Sequence, residues 1–431
     1  MLGVDLDPNK VRFAGDVNIN NITIVGKGGN SLNITNLLVK IQVFEDMFSP
    51  FITGTIVLKD SLDLVNFFPF IGEEFLFLDI TTPSFDTDDK KVIRDNFYIY
   101  KMSDREQIVE NSVVYTLHFI NLDVLKDLNT SLSQPFSGTG TEMIARVVGS
   151  YLGSSKPVAT AEQTTNKTKF IACNWSPIKT INYICKNSQS GNRSDYIFFE
   201  NKYGYNFTTL GNLMTSQPVY QEFKYTQKVR DISAGGQSYK DLNADYSRIR
   251  NYRLPVGFDY IDRVRNGALA SKLITHDYVT KKYSAKNFAA PLVWSAFPHL
   301  NRFPPFTQNV PFNTSGVQIM EAKHWGIFAG EGDITNTKAI QTRLSLLKLA
   351  ESFKFEMEVP GRTDYTVGMK VNVLIPSTEP SGGAETPLEQ NVDKMFSGNY
   401  LISAINHSIT RDSHTCVMEL IKDSLVFNLD G

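Results

Sequence analysis

The chain has 431 residues, of which 42% are hydrophobic and 20% are charged. This balance, together with 29 Phe and 18 Tyr, excludes an intrinsically disordered protein and predicts two to four ordered domains. The 43 basic and 45 acidic residues leave a formal charge of -2, which excludes a general attraction to nucleic acid or to anionic membranes.

The cysteines indicate a reducing environment. Cys173, Cys185 and Cys416 are too few, and odd in number, to build a disulfide framework. The sequence MLGVDLDPNKVRF lacks the basic and apolar regions of a secretory signal, and no apolar run has the length needed to span a bilayer. We therefore expect the protein to fold in the cytoplasm.

The first part of the chain, residues 1–125, has the pattern of short strands. From Val17 to Leu125, runs of β-branched and aromatic residues alternate with clusters of Gly, Pro, Asn and Asp. Such runs predict antiparallel strands joined by tight turns. We assign these residues to a first β-barrel.

Residues 126–255 mix helical and strand signals. Thr139-Gly-Thr-Glu142 is a capping box that begins a helix, and Ser176-Pro177 is an N-cap followed by proline at the first helical position. Asp195 to Glu200 and Tyr205 to Thr209 flank a turn and predict a hairpin. These signals predict a mixed α/β middle domain.

A long irregular segment, residues 286–315, contains several prolines that remove backbone donors and disfavour helix. Irregular segments of this length inside folded proteins are usually functional or disordered, and the aromatic residues of this one argue against disorder. We therefore interpret it as a docking arm for a partner. The alternative is a connector that packs its aromatic rings on its own domain. The aromatic residues are Trp294, Phe297, Phe303, Phe306 and Phe312.

Helical spacing then returns before the last strands. Ile340, Leu344 and Leu347 share one face of a helix predicted from Lys338 to Phe353. We therefore assign residues 286–352 to the irregular arm and its connecting helix.

The end of the chain is again rich in strand signals. Phe353, Phe355 and Met357 alternate with charged residues at the period of a half-buried strand. Ala268 to Lys281 alternates in the same way and is predicted to supply strands to the same unit. We assign residues 256–285 and 353–431 to a second β-barrel.

The two predicted barrels share a sequence pattern. Gly72 opens an apolar run from Phe75 to Ile80, and Gly368 opens a run from Met369 to Ile375. In both places a proline stops the run and two returning strands follow, which is the order of an antiparallel meander or small barrel. A trimer of a duplicated chain would present six similar modules in one ring. The alternative is a chance similarity between two barrels.

Catalytic patterns are absent from the sequence. None of the six histidines lies in a zinc-protease motif, no nucleophile elbow occurs, and the Gly-rich turns lack the Walker lysine. A carboxylate pair for glycoside cleavage is identified only by geometry. His407, His414 and Cys416 lie on or between neighbouring predicted strands and form a candidate metal site, but such histidines are more often ordinary strand or turn residues. We assign no catalytic residue, no cofactor and no metal.

Three segments carry a family resemblance. They are the opening strands from Val43 to Asp60, the helix from Trp175 to Ile184 with the hairpin after it, and the run FKFEMEVPGRTDYTVG from Phe353 to Gly368. Together they resemble the first barrel, the intervening domain and the closing barrel of phage baseplate central hub proteins, the hub trimers of T4-like contractile tails.

This resemblance implies a mainly β fold with α+β insertions, in which two similar antiparallel barrels of the tail-tube type accompany the α/β middle domain and the arm. It implies a structural, non-enzymatic homotrimer whose pseudo-sixfold ring joins the sixfold tail tube to the threefold central spike. The expected location is the tail baseplate of the virion, after assembly in the host cytoplasm.

The resemblance also implies partners. They are further copies of the chain, the tail spike protein, a tail tube or tube-initiator protein, and baseplate wedge proteins. Tape-measure protein and DNA are the candidates for the lumen of the ring.

Two other functions stay open at this point. A tail-associated hydrolase that attacks cell-wall polymer would need a catalytic pair that the sequence does not single out. The hub of a cell-encoded contractile injection system would have the same fold, and its gene neighbourhood or the tube protein that co-purifies with it would distinguish the two machines.

Overall fold

The structure is a computed structural model that describes residues 11–68, 70–84, 91–109, 112–215, 218–226, 242–277, 281–307, 317–323, 333–377 and 392–429. It is mainly β, and most of its strands lie in one 13-stranded sheet. The predicted mainly β fold with α+β insertions is confirmed. Within the described ranges no strand order closes on itself, so the two predicted barrels are the two open halves of a single sheet.

The first half of this sheet, which we call the first module, is entirely antiparallel. Alternate residues along its strands are buried, as expected of strands with one face on a core; Ile41, Ile56 and Leu117 have no exposed surface. The short helix α1 (Leu64–Phe67) lies between the fourth and fifth strands. The strands are β1 (Asn18–Val25), β2 (Ser31–Asn33), β3 (Leu38–Asp46), β4 (Thr53–Asp60), β5 (Phe75–Thr81), β6 (Ile93–Val109) and β7 (Ser112–Asn121).

The middle of the chain is an α/β unit with a core of its own, and Ile197, Phe199 and Leu213 pack into the core of the last part of the chain. The predicted capping box at Thr139 and Glu142 is present, and Ser176 caps the next helix as predicted. The predicted hairpin is also confirmed. The helices are α2 (Asp123–Asn129), α3 (Gly140–Arg146), α4 (Pro177–Asn187) and α5 (Leu210–Thr215). The strands are β8 (Leu132–Thr139), β9 (Val158–Thr160), β10 (Lys167–Trp175), β11 (Tyr196–Asn201) and β12 (Gly204–Thr209).

Two strands from the end of the predicted middle domain belong to the large sheet. They are β13 (Gln221–Lys224), which is parallel to a later strand, and β14 (Asn251–Val256), which is antiparallel to another. The short helices α6 (Leu242–Tyr246) and α7 (Tyr260–Arg265) precede and follow β14. The middle domain therefore contributes backbone directly to the last part of the chain.

A small three-stranded sheet follows. It consists of β15 (Ala270–Asp277) between β16 (Tyr283–Ala289) and β17 (Gln318–Lys323). Within the segment from Ala268 to Lys281, the structure thus places Ala270–Asp277 in this separate sheet. The upstream strand that pairs into the second half of the large sheet is β14. The segment predicted to be irregular from residue 286 begins with the end of β16 and the one-turn helix α8 (Ala290–Val293).

The second half of the large sheet is the second module. It contains β13 and β14 together with the strands that follow the long helix α9 (Asp333–Ala350). A bridge between Lys224 and Arg248 brings the end of β13 against the chain that leads into β14, so this half curls almost into a ring. Its last strands are β18 (Phe353–Pro360), β19 (Lys370–Leu374), β20 (Gly398–Ile409) and β21 (His414–Lys422).

None of the helices in the described part of the chain is both long enough and apolar enough to cross a membrane.

Candidate assembly interface

The two modules have the same strand order. Neighbouring strands run β3–β4–β7–β6–β5 in the first module and β14–β18–β21–β20–β19 in the second. In both series the five strands occur in the same order along the chain, and every pairing is antiparallel. The similarity predicted from sequence is therefore a similarity of topology.

The equivalence extends to single residues. In the first module the register between β6 and β7 shifts between Ile99 and Lys101, and in the second module it shifts between Ile402 and Ala404 on β20. Just before each shift, one backbone N–H donates to the residue that precedes the neighbouring strand. Ile99 donates to the carbonyl of Glu74, and Ile402 donates to the carbonyl of Met369, both at 2.9 Å. A β-bulge inserts one extra residue at a particular position of a strand. Its occurrence at the same position in both modules indicates that they are two copies of one structural unit.

The opening glycines are close to equivalent, with an offset of one residue. Gly72 and Gly368 have φ angles of +85° and +83°, a left-handed conformation that favours glycine. Phe75 pairs with Tyr98 as Lys370 pairs with Leu401, so Gly72 stands one position further from its strand than Gly368 does. The two glycines therefore mark the corresponding turn in each module, but they are not at exactly equivalent positions.

The modules meet along a backbone ladder that we call the seam. The first residues of β20 pair with β19, and the rest of the strand, from Ala404 to Ile409, pairs with β3 from Asp46 to Ile41. Ile409 packs in the core of the first module, and Met47 packs in the core of the second. One strand thus completes two half-sheets within a single chain.

Hydrogen bonds between buried polar groups stabilise the seam. The carboxylate of Glu45 on β3 accepts a hydrogen bond from the Thr366 hydroxyl and one from the backbone N–H of Val367 at 3.2 Å. Burial raises the pKa of Glu45 to about 7. Thr363, which precedes Thr366 in the same loop, also contacts the first module, because its hydroxyl accepts a hydrogen bond from the backbone N–H of Thr82 at 3.0 Å.

A buried ion pair holds that loop in place. The guanidinium of Arg362 donates to Asp364 at 3.0 Å and 2.5 Å, and the Tyr220 hydroxyl donates to the same carboxylate. Burial acts to raise the pKa of Asp364, but Arg362 holds it below its usual value. Because these charges are buried and satisfied by one another, they suit a structural junction. In the sequence, the run from Phe353 to Gly368 carries only a family resemblance. An Arg two residues before an Asp is too common to predict a buried ion pair.

In each module one strand edge is open among the described residues, although the equivalent edge in the other module is paired in the seam. The strand β6 continues beyond β5, and no strand of the described residues pairs with it from Lys101 to Glu106 on that side. The strand β14 pairs with β18 alone among the described strands. These two edges are the equivalents of the two strands that form the seam, β20 and β3.

The charges on these edges are complementary when the seam is used as a template. Glu106 pairs with Val114 in the first module, and Ser408 pairs with Thr415 at the corresponding position of the second module, so Glu106 is equivalent to Ser408. By the same comparison, Arg253 on β14 is equivalent to Gln42 on β3. Since Ser408 pairs with Gln42 in the seam, Glu106 of one copy would lie opposite Arg253 of another. Arg253 also binds Glu356 of β18 in its own chain, with N–O distances of 2.6–3.0 Å, so Glu106 would join an existing ion pair across the two strands.

The aromatic residues predicted to form a docking arm lie in several environments. Trp294 stacks on His299 with ring centroids 3.5 Å apart and contacts the edge of Phe306 at 5.2 Å. Phe306 is buried in a small cluster with Leu269 and Leu349. These rings therefore contact other residues of the same chain.

The other arm residues are less enclosed. Phe303 exchanges backbone hydrogen bonds of 2.9 Å and 2.7 Å with Leu425, and Phe297 is half-buried beside a surface cavity. Phe312 lies outside the described residues. The docking role of this segment stays a prediction.

Comparisons with solved structures identify the fold. A tail protein from Neisseria meningitidis MC58 superimposes with a TM-score of 0.55 at 10% identity, covering 94% of this chain and 96% of that chain. The 43 kDa tail protein of prophage MuSo2 from Shewanella oneidensis gives 0.53 at 10% identity, covering 94% and 99%. The chain shares the fold of these tail proteins. No protein-family model and no curated protein sequence matches it.

The coverage shows that this tail-protein fold includes the whole arrangement. Because more than nine-tenths of each chain aligns, both modules, the α/β unit and the small sheet belong to it. At 10% identity the likeness concerns the fold, and the strand edges described above carry the functional argument.

Proposed function

We propose that this chain is the structural hub of a contractile phage tail baseplate, in which three copies form a pseudo-sixfold ring. The observation that carries the proposal is the seam between β20 and β3. In the seam one module adds its strand to the edge of the next, and among the described strands each chain retains one open edge of each kind for a neighbour.

The number of copies follows from symmetry. When each chain supplies two equivalent modules, successive modules in a closed ring are related by similar rotations. Three chains then supply six modules, which match a sixfold tail tube on one face, while the unduplicated parts keep the threefold order that a central spike requires. The α/β unit and the small sheet each occur once among the described residues of the chain and would supply the threefold features.

Pairing between copies would resemble the seam energetically. Backbone ladders satisfy donors and acceptors that an open edge exposes to water. The seam also exchanges buried side chains between the two cores, as Ile409 and Met47 show. We therefore expect a stable trimer held by hydrogen-bonded strands and by apolar contacts beside them.

The proposed partners follow from the two faces of such a ring. A tail tube or tube-initiator protein would bind the sixfold face, the tail spike protein would bind the threefold face, and baseplate wedge proteins would surround the ring. The lumen would hold tape-measure protein or DNA. The proposed role is structural, because the buried carboxylates Glu45 and Asp364 are occupied by hydrogen bonds that join parts of the chain.

The mass of the assembly in solution tests this proposal. Sedimentation velocity of the full chain is expected to give three times the 48.5 kDa of one chain, with the trimer retained when the tail spike protein is absent. A mass of one or two chains over the whole accessible concentration range, both alone and mixed with the spike protein, would contradict the proposal.

A further inference from the structure

Three potential metal ligands meet on the hairpin of β20 and β21. His407 and Cys416 lie directly opposite each other across the two strands. His414 is two residues before Cys416, so both side chains emerge on the same face of β21. All three residues have no exposed surface.

The donor atoms of these side chains face one another at short range. His407 Nδ1 lies 3.0 Å from His414 Nε2. Cys416 Sγ lies 3.3 Å from His407 Nδ1 and 3.4 Å from His414 Nε2. Tetrahedral zinc with its usual bond lengths separates such N and S donors by about 3.3–3.6 Å. The triangle is thus nearly the one that a bound ion would produce.

We propose that His407, His414 and Cys416 bind one Zn²⁺ ion through Nδ1, Nε2 and Sγ. Two imidazoles and one thiolate are a borderline-soft donor set that suits zinc. Hard cations such as Mg²⁺ and Ca²⁺ require oxygen ligands, which this triangle does not provide. The inference concerns the hairpin alone and does not depend on the proposed function.

Zinc binds the neutral form of an imidazole, through a ring-nitrogen lone pair, and the thiolate form of a cysteine. The Cys416 thiol must therefore release its proton to solvent as the Zn–S bond forms.

The surrounding backbone holds the His414 ring in one position. A Cβ atom added to Gly361 would lie 2.3 Å from the ring, so only glycine fits against it. The backbone N–H of His414 donates to Gly15 and its carbonyl accepts from Gly361, both at 2.8 Å. A ligand fixed in this way loses little conformational freedom when a metal binds.

The location indicates a structural role for the ion. On its other side His407 pairs with Val43 of β3, so the triangle lies beside the seam. Zinc would join β20 and β21 beside the place where β20 pairs with β3 of the first module. It would therefore stabilise the folded chain by a free energy that increases with the logarithm of its binding affinity, because the unfolded chain lacks the site.

Metal analysis of the full chain tests the proposal. The protein is purified without chelator, then unfolded and refolded with Zn²⁺, and its zinc is counted by mass spectrometry. We expect about one zinc per chain and a thermal midpoint that falls when a strong chelator removes the ion during refolding. Cys416→Ala is expected to lose the zinc, whereas Cys185→Ala, which removes another buried thiol in the middle unit, retains it.

A second measurement keeps the test independent of whether Cys416→Ala folds. Refolding the unmodified chain with Co²⁺ should give the absorption of tetrahedral cobalt with one thiolate ligand. A refolded chain that holds neither Zn²⁺ nor Co²⁺ would overturn the proposal and leave a neutral, hydrogen-bonded cluster. Copper in place of zinc in the chain as purified, not displaced by Zn²⁺ on refolding, would overturn the choice of metal.

Discussion

Glu45 shows how a single residue at the seam connects stability to pH. Its carboxyl group is buried, and burial raises its pKa to about 7, whereas in the unfolded chain the pKa of a glutamate is about 4.3. Between these values the folded protein binds the proton more tightly. The contribution of Glu45 to stability therefore declines as pH rises from the lower value to the upper one.

Replacing Glu45 with glutamine should remove this dependence. The amide oxygen of Gln can still accept the hydrogen bonds of Thr366 and Val367, but it does not ionise. The unfolding free energy of Glu45→Gln minus that of the unmodified chain should be more favourable at pH 8 than at pH 5 by about 2–4 kcal/mol. Urea unfolding at both pH values and at one protein concentration measures this difference. An equal difference at the two pH values would show that Glu45 ionises as freely in the folded chain as in the unfolded one.

Individual residues were the hardest features to predict from sequence. His407, His414 and Cys416 were assigned to neighbouring strands or the turn between them, but alternation along a strand does not show which face is buried at a junction. The ligand triangle depends on the register between β20 and β21 and on Gly361, which lies far from the hairpin in sequence. Glu45 would be read as an exposed strand residue, because carboxylates are seldom buried.

At the level of strands, the seam supplies a template for contacts between copies. Ser103 on β6 lies opposite Thr116 as Asn406 lies opposite Val417, and Val256 on β14 takes the place of Phe44 on β3. Asn406 pairs with Phe44 within the chain. By this equivalence, Ser103 of one copy would pair with Val256 of the next in the proposed ring.

Cysteine cross-linking tests this pairing. Opposed residues in antiparallel strands have Cα atoms about 4.5–5.5 Å apart, which is within the range of a disulfide. In a Cys173→Ser background, which removes the exposed thiol, Ser103→Cys combined with Val256→Cys should give covalent dimers and trimers on mild oxidation. The matched control combines Ser103→Cys with Asn251→Cys at the far end of β14, which lies beyond the reach of a disulfide. Equal cross-linking in both variants, or none in a chain that is trimeric, would refute the register.

Elements were easier to predict than residues, but their partners were not. The capping residues Thr139 and Ser176 begin helices as predicted because capping is a local interaction. By contrast, nothing local showed that β20 pairs with two strands in succession, or that β14 rather than β15 completes the second module. Those choices depend on contacts between residues far apart in the chain.

For the whole molecule, the duplication visible in the sequence has a structural counterpart. Gly72 and Gly368 open equivalent turns, and the strands that follow have one topology and a shared bulge. The sequence could not show that the two units join into one sheet, because an open edge and a paired edge have the same alternation. The seam joins the two half-sheets within one chain, and in the proposed ring three chains would repeat this junction between copies.

The symmetry of the isolated particle tests this account most directly. Electron-microscopy class averages of the purified full chain should show a hollow ring of three copies, with six similar inner modules and three outer lobes. Averages that show separate single chains or dimers at every concentration that can be reached, or rings that contain a number of chains other than three, would contradict the account.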